Sequence, residues 1–163
     1  MNDLPELLQR FKRGPELLAT LLTGAAGREF DYSPAPDKWS IRQIMAHMVD
    51  SEMMGAGRMR RLIAEDNAQM QLWDQNAWAT RLDYAKRKPS ECLVTFRILR
   101  KENYDLLQGL PTEIYERASE HPKRGRMTLY DVLKLYTDHA EKHADQIRSL
   151  RDAYREAKAR GEI

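Results

Sequence analysis

Residues Tyr130–Leu150, YDVLKLYTDHAEKHADQIRSL, carry the pattern that decides the fold. Apolar side chains at Leu129, Val132, Leu133, Tyr136, Ala140, Ile147 and Leu150 recur about every 3.6 residues, which predicts a long amphipathic helix. The stripe skips positions 139 and 143 on the same face, and both are histidines. Side chains four residues apart on a helix stack one turn above the other, so the spacing turns both imidazoles inward and lets them reach a single ion.

The rest of the chain supplies partners for that helix. Thr128 with Asp131 reads as a capping box that opens it, and the pattern continues to about Ala159. An N-terminal helix begins after Asn2 or Asp3 with Leu7, Leu8 and Phe11. Gly14 and Pro15 predict a kink or restart, because proline lacks a backbone donor, and Leu17, Leu18, Leu21 and Leu22 carry the second half. Residues 24–37, rich in Gly and Pro, read as a surface loop. Ser40 is a good N-cap for a second long helix through Ile41, Ile44, Met45 and Met48 to Leu62 and Ile63, with His47 at the edge of its apolar face.

Residues 67–88 break the periodicity and hold Trp73 and Trp78, which reads as a long ordered connection. Pro89 suits the first turn of a third helix carrying Cys92, Val94, Phe96, Ile98, Leu99, Tyr104, Leu106 and Leu107. Residues 112–126 form a second irregular connection, and no alternating strand pattern or internal repeat is present. The expectation is an all-α four-helix bundle forming a single domain over residues 1–163.

Composition excludes several function classes. One cysteine, Cys92, rules out an internal disulfide framework and a multi-thiolate zinc site, and points to a reducing, cytoplasmic setting. No apolar run is long enough to span a membrane, and the first residues carry acids where a signal peptide would be basic and then apolar. The net charge of +2 comes from 27 basic and 25 acidic residues mixed along the chain, which predicts a solvated helical surface and no nucleic-acid partner.

The chemistry lies in three histidines. Neutral imidazole binds zinc, nickel, copper and ferrous iron, and His139 with His143 supplies two ligands. A bundle provides a third from a facing helix, and His47 is the helix-borne candidate; His121, followed by Pro122 in a loop, is left out. The competing reading is a set of hydrogen-bonded core histidines without an ion.

The segments PAPDKWSIRQIMAHMVDSE (Pro34–Glu52), WDQNAWA (Trp73–Ala79) and TLYDVLKLYTDHAEKHADQI (Thr128–Ile147) together resemble the DinB/YfiT-like superfamily. There, a Trp-Ser/Thr start leads into a helix with one histidine, and a late helix carries His-x-x-x-His. The resemblance implies a four-helix bundle with a divalent metal, zinc or nickel, held by His47, His139 and His143. It also implies a homodimer, and a family that includes thiol-dependent transferases and isomerases; the expectation is a metal-dependent transferase or hydrolase acting on a small molecule, with transfer of a low-molecular-weight thiol as a further reading. A non-catalytic bundle with a structural or vacant site, serving as a stress-response or interaction partner, is the alternative.

Asp50, Glu52 and Asp74 are candidate acids that could orient a ligand or take a proton, against an ordinary role as solvated surface. Trp39, Trp73 and Trp78 could line a pocket mouth, while Met45, Met48, Met53 and Met54 read as packing.

Overall fold

A computed structural model describes residues 3–163. Its main elements are α1 (Leu4–Leu22), α2 (Ile41–Ala64), α3 (Gln75–Arg81), α4 (Pro89–Gln108), a hairpin of β1 (Ala118–His121) and β2 (Gly125–Thr128), and α5 (Leu129–Ala159). The four long helices form the bundle expected from the sequence. α1 packs on α5 and α4, and α2 packs on the same two, so the order around the bundle is α1, α5, α2, α4.

Local chemistry sets the helix starts. Ser40 Oγ accepts from the Gln43 backbone N–H at 3.4 Å, and Gln43 Oε1 accepts from the Ser40 N–H at 3.0 Å, a reciprocal cap for α2. Thr128 and Asp131 do the same for α5, at 2.9 and 3.1 Å. Asn2 lies outside the described residues. Asp3 sits at the N-cap of α1 without bonding the helix, and its carboxylate accepts from the Tyr130 hydroxyl instead.

The break expected at Pro15 is absent, and α1 runs through it. Proline removes the N–H that would bond the carbonyl four residues back, which is Phe11 O. Arg100 Nη1 donates to that oxygen at 2.9 Å. Gly14 makes the approach possible, since a Cβ there would lie 2.9 Å from the same guanidinium nitrogen. A side chain from α4 therefore satisfies the acceptor that would otherwise force a kink.

The apolar stripe of α4 also needs correction. Its buried face is Cys92, Phe96, Arg100, Asn103, Tyr104 and Leu107, while Val94, Ile98 and Leu106 stay exposed on the opposite side, as does Leu17 on α1. The two connections are more regular than their sequence suggests. The first contains α3 and a single turn at Tyr84–Lys86, and the second folds into the hairpin, with Ala118 opposite Thr128 and His121 opposite Gly125. Gly125 turns the chain at φ +73°, where a side chain would be strained.

Two apolar clusters fill the bundle. One gathers Phe11, Leu62, Leu107 and Leu133, the other Leu18, Ile44, Phe96 and Ile147. Each fully buried aliphatic or aromatic side chain contributes roughly 1.5–3 kcal/mol. The Arg100 guanidinium lies between the clusters, 3.9 Å from the Phe11 ring and 4.8 Å from Phe96. Glu52 chelates it at 3.0 and 2.7 Å, and Asn103 Nδ2 also donates to Glu52 at 2.8 Å. No helix among the described residues is long and apolar enough to cross a membrane.

Candidate metal centre

The bundle brings all three helix-borne histidines together. His47 from α2 and His139 from α5 approach to 3.0 Å between their Nε2 atoms, and His143 Nε2 lies 3.1 Å from His139 Nε2. Their ligand atoms all fall within 4.8 Å of one another, the one such cluster among the described residues. His47 and His143 are buried and His139 is half-buried. His121 stays apart, as expected, on β1, its Nδ1 accepting from the Lys123 N–H at 3.1 Å.

Burial decides the charge on these rings. Desolvation first, and then the neighbouring histidines, push His47 down to about 3 and His139 down to about 2. Desolvation also lowers His143, against a hydrogen bond to Gln146 that works the other way. All three are therefore neutral near pH 7. Gln146 Oε1 lies 2.9 Å from His143 Nδ1, and with the amide in this orientation its oxygen accepts, which assigns the proton to Nδ1 and turns the Nε2 lone pair to the cluster. Three neutral rings with nitrogens this close need a proton or a cation between them. Three nitrogens each about 2.0–2.1 Å from one tetrahedral ion would stand about 3.3 Å apart, near the observed spacing.

The aromatic residues surround the His47 side. Trp73 stacks on its ring at 5.5 Å between centroids, Trp39 packs at 4.9 Å, and Trp78 meets Trp73 edge-on at 4.8 Å. His47 Nδ1 is buried there with no hydrogen-bond partner. The other side is open, where a cavity of 450 Å³ is lined by His139, His143, Lys142, Gln146, Trp39, Lys38, Asp37, Gln75 and Asn76. A larger groove of 890 Å³ does not reach the histidines but shares Asp37, Lys38, Trp39 and Asn76 with this cavity. His139 and His143 thus face the smaller cavity, and His47 lies behind them, bonded to His139.

The candidate acids have partners elsewhere. Asp50 is buried and accepts from the Tyr84 hydroxyl at 2.7 Å, with Arg87 at 3.8 Å. Glu52 belongs to the Arg100 pair. Neither is the solvated surface acid of the alternative reading. Asp74 is exposed, and its Oδ1 caps α3 by accepting from the Asn76 and Ala77 N–H groups at 3.0 and 3.1 Å. Of the methionines read as packing, Met45 and Met48 are core residues, Met54 is half-buried and Met53 is exposed.

Sequence reasoning passed over Gln146, Lys142 and Asp37. Gln146 was detectable, as a polar side chain three residues beyond a candidate ligand on the same helical face. Asp37 and Lys38 sit in a loop, and only folding brings them to the cavity.

Comparisons with known proteins show the family and the fold. A family model described as the DinB superfamily matches residues 10–147. A protein of Oceanobacillus iheyensis named a "Putative metal-dependent hydrolase" is 29% identical over 137 residues, covering 83% of this chain and 78% of that protein. A Bacillus licheniformis protein of the same designation is 26% identical over 151 residues, covering 92% and 86%. Among solved structures, YfiT from Bacillus subtilis superposes with a TM-score of 0.86 at 24% identity, covering 92% of this chain and 86% of that one. It is described as "a probable metal-dependent hydrolase with an unusual four-helix bundle topology".

Proposed function

The chain belongs to the DinB superfamily, and on that premise we propose that it is a metal-dependent hydrolase of a small molecule, with His47, His139 and His143 as protein ligands to a divalent ion. The observation that carries this reading is the convergence of three neutral Nε2 atoms, two of them, on His139 and His143, facing an open cavity. The designation of the two bacterial relatives supports the same class of reaction. An all-nitrogen donor set favours zinc or nickel over magnesium or calcium.

Such an ion supplies Lewis acidity and lowers the pKa of a bound water or thiol toward neutrality. The chain's own residues do the rest. Gln146 holds the His143 tautomer, and Trp39 and Trp73 close the His47 side to water. Lys142 and Asn76 line the cavity as donors for substrate oxygens, and Asp37 is the carboxylate that lines it, in position to take a proton.

Asp37 is highly exposed and held by Lys38 at 3.3 Å, and none of Asp50, Glu52 and Asp74 bonds a histidine. That sparse general-base provision favours, as a second reading, transfer of a low-molecular-weight thiol, whose thiolate needs no further base once formed.

Metal analysis of tag-free protein tests the site. One equivalent of zinc or nickel per chain is expected, and it should be lost in the His139→Ala, His143→Ala double variant. Metal content near zero in the wild type, or uptake unchanged in the double variant, overturns the proposal. A cobalt-substituted sample separates the two reactions: a visible-band shift on adding a small thiol supports transfer, while turnover of an ester or amide panel without any thiol supports hydrolysis.

A further inference from the structure

Arg58, Arg100 and Arg151 are the buried arginines among the described residues. Arg100 is paired with Glu52 and Arg151 with Glu29, but Arg58 meets only neutral groups. Its Nη1 donates to the Tyr136 hydroxyl at 3.1 Å and its Nη2 to Gln71 O at 2.6 Å, while Nε is buried without an acceptor. A guanidinium cannot shed its proton, and a buried cation without a counter-charge is costly. One turn along α2, Arg61 is half-buried and likewise has no acidic partner among the described residues.

The two arginines line one cavity of 130 Å³, with Gln69, Gln71 and Gly57 beside them and Met53 and Met54 forming an apolar part of the wall. No carboxylate contributes to its wall. The cavity is small and suits a compact anionic group. It shares no residue with the cavity over the histidines.

We propose that this cavity is a binding site for a small oxyanion, either free phosphate or the phosphate or carboxylate group of a metabolite. The anion supplies the counter-charge that Arg58 lacks and an acceptor for Nε, and Arg61 closes on it from the neighbouring turn. Guanidinium groups suit this task because their planar donors match the oxygens of carboxylate and phosphate. The site is independent of the metal reading, although Arg58 shares Tyr136 with the histidine region, where that ring lies 6.4 Å from His139.

The test is calorimetric titration and thermal melting of the full chain, as purified, with sodium phosphate, sodium acetate and sodium chloride at equal ionic strength. Wild type should bind phosphate or acetate saturably and melt higher than in chloride; which of the two binds more tightly assigns the phosphoryl or the carboxylate source. Phosphate stabilises proteins generally, so the variants decide. Arg61→Gln removes one arm without touching the buried Arg58 bonds. Gly57→Leu fills the cavity from a position where an added Cβ meets nothing within 4 Å. Each should weaken binding at least tenfold while the protein stays folded. Binding unchanged in both variants would place the anion elsewhere, at a histidine-bound metal included, and overturn the proposal. So would a wild type in which neither oxyanion exceeds chloride.

Discussion

His47 Nε2 and His139 Nε2 stand 3.0 Å apart across the interface of α2 and α5, although 92 residues separate them in the chain. Neither ring reaches that point through local structure alone. The α2 cap at Ser40 and the α5 cap at Thr128 fix where each helix begins, and packing of the two helices sets the rest. The contact therefore reports on the fold as well as on the site.

Gln146 should matter to metal affinity without being a ligand. Its Oε1 fixes the proton on His143 Nδ1, and partners of this kind are worth about 10–100-fold in affinity. Gln146→Leu is expected to lower affinity within that range, read by competition with a chromogenic chelator, with the melting temperature of metal-free protein nearly unchanged. Gln146→Glu keeps an acceptor at the same distance and should retain binding. Equal affinities for wild type and Gln146→Leu would show that the hydrogen bond does not hold the tautomer.

Protein stripped of metal should lose stability in mild acid. The three imidazoles are held neutral in the fold, with His47 near 3 and His139 near 2, whereas an unfolded histidine protonates near 6.5. Between those values the unfolded chain binds more protons, so stability rises with pH through the window and falls as pH drops below about 6.5. Each imidazole contributes at most about 1.4 kcal/mol per pH unit, and nothing further above about pH 7.5. Urea midpoints at pH 5.0 and 7.5 check this. The His139→Asn, His143→Asn variant should show a smaller difference than the parent, and an identical one would contradict neutral burial.

Gly55 and Gly57 lie two residues apart on α2 and should respond in opposite directions. A Cβ at Gly55 would lie 2.7–2.9 Å from three atoms of the Tyr136 ring, which is buried and held by Arg58 at its hydroxyl. Gly55→Ala is expected to cost about 1–3 kcal/mol in spite of the better helix propensity of alanine. Gly57→Ala meets open space and should stabilise by about 0.5–1 kcal/mol. Paired chemical denaturation curves decide it, and a neutral Gly55→Ala would mean that Tyr136 can shift freely.

What the sequence made legible was whatever depends on periodicity and local hydrogen bonding. Both caps, the long final helix and the inward direction of His139 and His143 follow from residues within a few positions of one another. His47 read as an edge residue because its neighbours on α2 are apolar on one side only; the indole rings of Trp39 and Trp73, from outside that helix, bury it. The hairpin was invisible because its strands are four residues each, too short for alternation to stand out. Glu52 read as a candidate site acid or a solvated one, and its pairing with Arg100 was not legible, since nothing in either helix announces a partner 48 residues away. The expected break at Pro15 failed for the same reason.

That last relation can be tested directly. Arg100 answers two needs at once, neutralising Glu52 and donating to the Phe11 carbonyl that Pro15 leaves without its helical N–H. Arg100→Met should therefore cost about 3–5 kcal/mol, the range for breaking a buried pair by removing one partner. Replacing both charges, as Arg100→Met with Glu52→Leu, removes the stranded carboxylate and should recover much of the loss, leaving the unbonded Phe11 oxygen as a remaining defect. Adding Pro15→Ala restores an N–H within α1 for that oxygen, so the triple variant should gain about 1–3 kcal/mol over the double. In the wild type the same substitution competes with Arg100 for an acceptor already satisfied, and the gain should be smaller. The comparison is a double-mutant cycle on urea midpoints. Equal effects of Pro15→Ala in the two backgrounds would mean that α1 tolerates its proline for some reason other than Arg100.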